Sequence, residues 1–456
     1  MSTQRPNVVI MISHDTGRFV SPYGYTTVNT PNFERLAQMS TTFDNCFCTT
    51  PLCAPARAAL LTGLYPHQNG MMGLPSDTLG DWDMVRKDRH IAAVLKSHGY
   101  RTVLCGFEHE SQDLFSIGFE EAIHGSGKGH NGGKTITGAG KDINNWFEAN
   151  PGAGKEYPFY MQIGCTQTHR EWNRYAEPYD GKGIWKAPYL IDDPDVDKEM
   201  AEFQGACNSL DKGLGEILDV FDERGLTDNT IFVITTDHGI DFPRAKGTLF
   251  DPGVEVLLFM RYDAGGWHKG KHCKALISHV DVYPTILEAC NIPVPSGTAG
   301  RSFLDILTGS EETAVRDAVY LEKTYHDNYD PMRGLRTERY KYILNFDAQT
   351  LYDVRIATAP RYNWFRFPFA KDKREELYDL WEDPHETKNL ADDPAYEHIR
   401  LQLKSKLARW MKETEDPLLN GPIPSPYHLR ISREMKELAE NADEQLNLEN
   451  SHEKMV

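Results

Sequence analysis

The amino-acid sequence predicts an α/β fold: a large, mainly parallel sheet sandwiched by helices, with a smaller C-terminal α+β subdomain carrying an antiparallel sheet. Three observations predict it. Short apolar runs alternate with helical patterns through the first three hundred residues, as expected of strands buried on both faces by crossover helices. Chemically suggestive side chains collect just past the ends of those runs, the edge where open α/β sheets bind ligands. From about residue 331 the texture changes to Arg336, Thr337, Glu338, Arg339, Tyr340, Lys341 and Tyr342, whose alternation suits an antiparallel strand with one solvated face.

Taken in order, Val8 to Ile12 is the first strand-like run and is followed by His14 and Asp15. Thr102 to Cys105 leads to His109, and Phe159 to Cys165 leads to His169. Met200, Phe203, Cys207, Leu210, Leu214, Ile217 and Phe221, three or four apart, predict an amphipathic helix that Gly225 can end. Thr230 to Thr235 then delivers Asp237 and His238, and Val256 to Met260 and Val319 to Glu322 complete the strands of the first unit. Residues 1–330 are expected to form the catalytic α/β domain and 331–456 the smaller subdomain, with its antiparallel sheet and terminal helix. Arg361 to Lys373, rich in aromatic and basic residues, reads equally as a loop near a pocket mouth and as a surface excursion. The last seventeen residues are polar and charged, which predicts a solvated helix or frayed tail.

Composition narrows the partners. A net charge of -18 over 456 residues argues against nucleic acid and anionic membranes, so any anion site must be a local basic pocket in an acidic shell. Met1 to Pro6 lacks the charged start of a signal peptide, and no segment approaches the roughly 20 apolar residues of a membrane span, so a soluble, cytoplasmic protein is expected. Eight cysteines without paired spacing suit a reducing compartment. Cys46, Cys48 and Cys53 have no accompanying CxxC or paired histidine, which makes a zinc site a poor reading.

The most informative string is Cys53, Ala54, Pro55, Ala56, Arg57, followed by Leu60, Leu61, Thr62 and Gly63. Pro55 and the alanines and leucines after it predict a helix whose N-terminus holds the cysteine. That end attracts anions, and Arg57 adds a permanent cation with forked donors. The pattern Cys-x-Pro-x-Arg with Leu-x-Thr-Gly resembles the signature of the type I, formylglycine-dependent sulfatases of the alkaline phosphatase superfamily. Resemblance extends along nearly the whole chain, through Thr30 to Leu36, Leu64 to His67, Asp281 to Leu287 and Glu376 to Leu390. The last stretch, with Pro331 to Arg333, is particularly similar to the heparan N-sulfatases (sulfamidases).

The resemblance implies that a formylglycine-generating enzyme oxidises Cys53, and that the hydrated aldehyde offers two hydroxyls, one to attack and one to expel the transferred group. It implies a divalent metal on Asp15, Asp237 and His238, with His14 where relatives usually have another aspartate. Calcium is the family's usual ion, and the two histidines make manganese or zinc credible. Lys246 aligns with a sulfate-binding lysine. His169 or Lys246 would protonate the departing oxygen or nitrogen, and His109 would help expel sulfate. Phe107 departs from the pattern, standing where relatives carry a lysine. The implied function is a sulfatase acting on a sulfate ester or sulfamate of a small sugar or aryl substrate. The alternatives are a phosphonate monoester or phosphodiester hydrolase with the same nucleophile, and an inactive anion-binding relative with an unmodified Cys53. Tyr325, His326, Asp327, Tyr329 and Arg333 are candidates for leaving-group contacts, with loop packing as the plain alternative. The released alcohol or amine is left open, and a homo-oligomer is compatible with the sequence.

Overall fold

Seven consecutive buried residues, Asn7–Ser13, form β1, the strand around which the large sheet is built. In this computed structural model residues 5–76, 80–125, 135–174, 181–309, 314–326, 328–347 and 374–453 are described. The further strands are β2 (Thr41–Phe43), β3 (Cys46–Phe47), β4 (Arg101–Gly106), β5 (Glu121–Ile123), β6 (Phe159–Gly164), β7 (Thr230–Thr236), β8 (Leu258–Arg261), β9 (Lys271–Cys273) and β10 (Ile277–Ser278). They are followed by β11 (Val319–Tyr325), β12 (Tyr329–Arg336), β13 (Tyr340–Asn345) and β14 (Glu375–Asp379).

Eight strands make the large sheet in the order β5-β4-β6-β1-β7-β8-β2-β9, and β3 with β10 make a small parallel pair. From β5 to β7 every pairing is parallel; β8 runs antiparallel to both β7 and β2. The two-residue period of β1 shows why its apolar run is unbroken. Val8, Ile10 and Ile12 pack into one core with Ala56 and Leu60, while Val9 and Met11 face a second core with Leu210 and Leu214. The second core rests on the long helix Pro194–Glu223, which is N-capped by Asp193 and followed by Gly225 at φ +64°.

Strands β11 to β14 form an antiparallel meander. Two strand readings are corrected here. Val319 to Glu322 opens this smaller sheet rather than joining the large one. The alternating run from Arg336 is broken by a turn at 337–339, where Thr337 N–H donates to Tyr340 O (2.8 Å). Arg361 to Lys373 and Asp327 lie outside the described residues. The last described element is the helix Pro426–Glu453, and no described helix is long and apolar enough to cross a membrane.

Candidate active site

β1 and β7 are parallel neighbours with Ser13 beside Thr236, so both deliver the following residues to one edge. Asp15 sits at φ +56°, a left-handed conformation that short polar residues tolerate. Its N–H donates to Asp237 Oδ1 (2.9 Å), and Asp237 N–H donates to Ser13 O (3.1 Å). These crossed bonds hold two buried carboxylates together. His14 Nδ1 stands 2.6 Å from Asp15 Oδ1 and 3.2 Å from Asp237 Oδ2. His238 Nε2 stands 3.1 Å from Asp15 Oδ1 and 3.8 Å from Asp237 Oδ1.

The helix Cys53–Thr62 faces this group and is buried along its whole length. It starts at Cys53 itself, with no side-chain cap from Leu52, so its first N–H groups are left to the site. Cys53 Sγ lies 3.4 Å from His238 Nε2, and the ligand atoms of His14, Asp15, Cys53, Asp237 and His238 all lie within 4.8 Å of one another. One turn along, Arg57 donates from Nε to Asp237 Oδ2 (3.1 Å) and from Nη2 to Ser13 O (3.2 Å); its Nη1 has no hydrogen-bond partner among the described residues. Lys246 Nζ donates to Asp15 Oδ2 (2.6 Å) and lies 3.8 Å from Asp241 Oδ2.

Both other histidines reach the group. The His109 ring hydrogen-bonds the Cys53 thiol, and the His109 backbone N–H donates to Glu110 Oε2 (2.8 Å). The His169 ring meets His14 edge-on at 4.5 Å, and its Nδ1–H donates to Arg170 O (2.5 Å). The Phe107 ring packs 5.1 Å below the Arg57 guanidinium, 5.3 Å from His14 and 5.4 Å from His109. Burial would raise the Cys53 thiol, yet Lys246, His14 and His238 hold it well below its ordinary value. Burial would lower His14, yet Asp237 and Asp15 push it up to about 10. Burial beside Lys246 and His14 lowers His169 to about 4.

Two carboxylates and two imidazoles converging in a buried space are a donor set that fits a divalent cation. A second acidic group, His67, Glu322 and Asp416, is equally tight. There the cation is already supplied by Arg333, whose Nε lies 2.5 Å from Asp416 Oδ2 and 3.8 Å from Glu322 Oε2. Arg333 also donates to Lys323 O and Met332 O, so it is placed as a buried tie of the small sheet and not in the Cys53 group. His326 is buried at the β11–β12 turn, and Tyr325 and Tyr329 bond the backbone of Ile423. Glu110 and Asp241 are the neighbours that motif reading missed. Their only signal was a carboxylate one residue from His109 and another three residues beyond His238.

A family model described as Sulfatase matches residues 6–292, and one described as N-sulphoglucosamine sulphohydrolase, C-terminal, matches residues 243–365. The chain is 27% identical to human N-sulphoglucosamine sulphohydrolase over 92% of each chain. It is 29% identical to an ulvan-active sulfatase of Formosa agariphila, over 93% of this chain and 83% of that one. A solved structure holding its substrate, D-glucosamine-2-N,6-O-disulfate, shares the fold with a TM-score of 0.70 at 20% identity, covering 92% of this chain and 99% of that one.

Proposed function

Because the chain belongs to the sulfatase family, a family of sulfuric ester hydrolases, we propose that it hydrolyses a sulfate ester or sulfamate of a small sugar, using formylglycine made from Cys53. The observation that carries this reading is the convergence on Cys53 of Arg57, Lys246, His109, His169 and the four residues His14, Asp15, Asp237 and His238. A formylglycine-generating enzyme is the partner this maturation requires. The hydrated aldehyde would supply paired hydroxyls on one carbon, and a divalent cation held by the four residues would lower the pKa of such a hydroxyl and neutralise charge on the transferred group.

The chain's own residues supply the rest. Arg57 and Lys246 bring permanent positive charge to the end of the helix that holds residue 53, where a tetrahedral oxyanion is best received. Of the two candidates, Lys246 holds the proton that the departing oxygen or nitrogen takes, since His169, lowered to about 4, lacks it at neutral pH. His109, bonded to residue 53, takes the proton whose removal releases sulfate. Two imidazoles beside two carboxylates suit manganese or zinc better than the all-oxygen shell calcium prefers.

The relative named for N-sulphoglucosamine, and the neighbour holding a disulfated glucosamine, support an amino-sugar substrate. Release of inorganic sulfate from N-sulfated and O-sulfated glucosamine, by protein whose Cys53 peptide has lost the mass of a thiol turned aldehyde, is the expected result. Cys53→Ala should lower turnover by at least about a thousandfold. Undiminished turnover in that variant would refute the reading. An unmodified thiol in protein from its native host would instead favour an inactive anion-binding relative. One residue favours a phosphonate monoester or phosphodiester hydrolase: Phe107 places a ring rather than a further cation under Arg57. Matched sulfate and phosphonate esters of one leaving group separate the two.

A further inference from the structure

The terminal helix Pro426–Glu453 is attached to the body at its base, where Tyr427 N–H donates to Gly80 O (3.0 Å) and Arg430 pairs with Asp81. Past Ile431, every residue to Asn441 is exposed, and Met435 and Leu438 are each 60% exposed. Tyr427, Ile431, Met435 and Leu438 follow one another at intervals of four, four and three, which places them on one stripe of the helix. The sequence continues the spacing at Ala442 and Leu446. Large apolar side chains on an otherwise solvated helix are the mark of a partner surface.

We propose that this stripe pairs with the same stripe of a second copy of the chain, and that the two helices run antiparallel. Charge selects both the partner and the direction. Residues 427–436 carry Arg430, Arg433 and Lys436 against Glu434, whereas residues 437–453 carry six acidic residues and no lysine or arginine. A parallel pair would set like charges level with one another. An antiparallel pair lays the basic base of each helix along the acidic tip of the other and opposes the helix dipoles. The apolar spacing agrees. A register with Met435 opposite Leu438 sets the two most exposed apolar side chains of each helix against those of the other. The seam is about 30 Å long for its roughly 20 residues, a modest interface, and the dimer is expected at protein concentrations on the order of tens of micromolar.

Light scattering on the full chain at that concentration should give twice the 51.8 kDa of one copy. Met435→Glu combined with Leu438→Glu, both beyond the Asp81 anchor, should return the mass to one copy with the body's melting temperature unchanged. A wild-type monomer, or a dimer that survives the double substitution, overturns the proposal. Direction is read separately with a spin label on Asn450→Cys, selective because all eight native cysteines are buried. The antiparallel register predicts a label-to-label distance of about 40 Å, from 1.5 Å per residue. A distance of about 10 Å, as in a parallel pair, overturns it even if the double variant fails to fold.

Discussion

In the proposed reading, Arg57 serves stability and chemistry with one side chain. It is fully buried, and its fork compensates Asp237 while it closes onto Ser13 O. Arg57→Ala should therefore strand a buried carboxylate at a cost of about 3–5 kcal/mol, read as a fall in melting temperature, together with loss of turnover. Arg57→Lys keeps the charge and loses the fork. It should retain most of the stability while turnover falls about a hundredfold or more, measured as sulfate release under single-turnover conditions. The same scale explains which site residues the sequence discloses. Cys53 and Arg57 lie in one short string, and His14, Asp15, Asp237 and His238 each follow an apolar run, so local spacing is enough to find them. Glu110 lies next to His109 and Asp241 three residues past His238, but neither stands in a motif; that Asp241 meets Lys246 and that Glu110 turns back on the His109 backbone N–H is decided by the fold. Arg333 shows the converse. Its partner Asp416 is 83 residues away, and no local pattern foretells that this arginine is taken.

At the level of elements, the β6 end is where the backbone itself positions chemistry. Phe107 N–H donates to Gly164 O (2.9 Å), and a Cβ on Gly164 would fall 1.8 Å from Phe107 O. Gly164→Ala must displace the loop that carries Phe107 and His109, so both stability (about 1–3 kcal/mol) and turnover should drop. Gly225→Ala, by contrast at a helix end with φ +64° and open space around it, should cost only about 1 kcal/mol and leave turnover intact. Thermal melts and sulfate release on the two variants make the contrast. The helix Ile91–Ser97 gives a pH prediction. Its cap is His90, whose Nδ1 accepts the Ala92 N–H (3.2 Å) and must therefore be unprotonated. Burial lowers His90 to about 4, with Glu110 opposing. Its folded value lies below its unfolded value of about 6.5, so its contribution is complete above pH 6.5 and is lost as pH falls toward 4. His90→Asn keeps a capping acceptor without the titration, and its denaturant midpoint should vary less than wild type across that window. Strand identity was readable from apolar runs, but strand partnership was not. The runs that became β8 and β11 look like the others, and only contacts remote in sequence decide that β8 is reversed and β11 belongs to another sheet.

Across the whole molecule, the small sheet is tied to the segment that carries Lys246 through one buried network. Lys341 of β13 sits 2.5 Å from Asp251 Oδ1 and 2.7 Å from Glu386 Oε1, while Glu386 Oε2 accepts the Asp251 N–H (2.6 Å). Arg244 closes the network by donating to Glu386 O (2.8 Å), so the segment from Arg244 to Asp251, which carries Lys246, is fixed at both ends by a residue of the C-terminal region. Burial, with Asp251 adding to it against Lys341, pushes the Glu386 carboxyl up to about 7. A folded value above the unfolded value of about 4.5 means that Glu386 contributes fully below pH 4.5 and that the contribution is lost as pH rises through 7. Wild-type stability should accordingly decline between about pH 5 and pH 8 by more than that of Glu386→Gln, which has no proton to lose and keeps one of the two acceptor oxygens. The difference between the two denaturation midpoints, followed across that range, isolates the network. Parallel curves would mean that Glu386 does not titrate there and that the tie between the small sheet and the Lys246 segment is independent of pH.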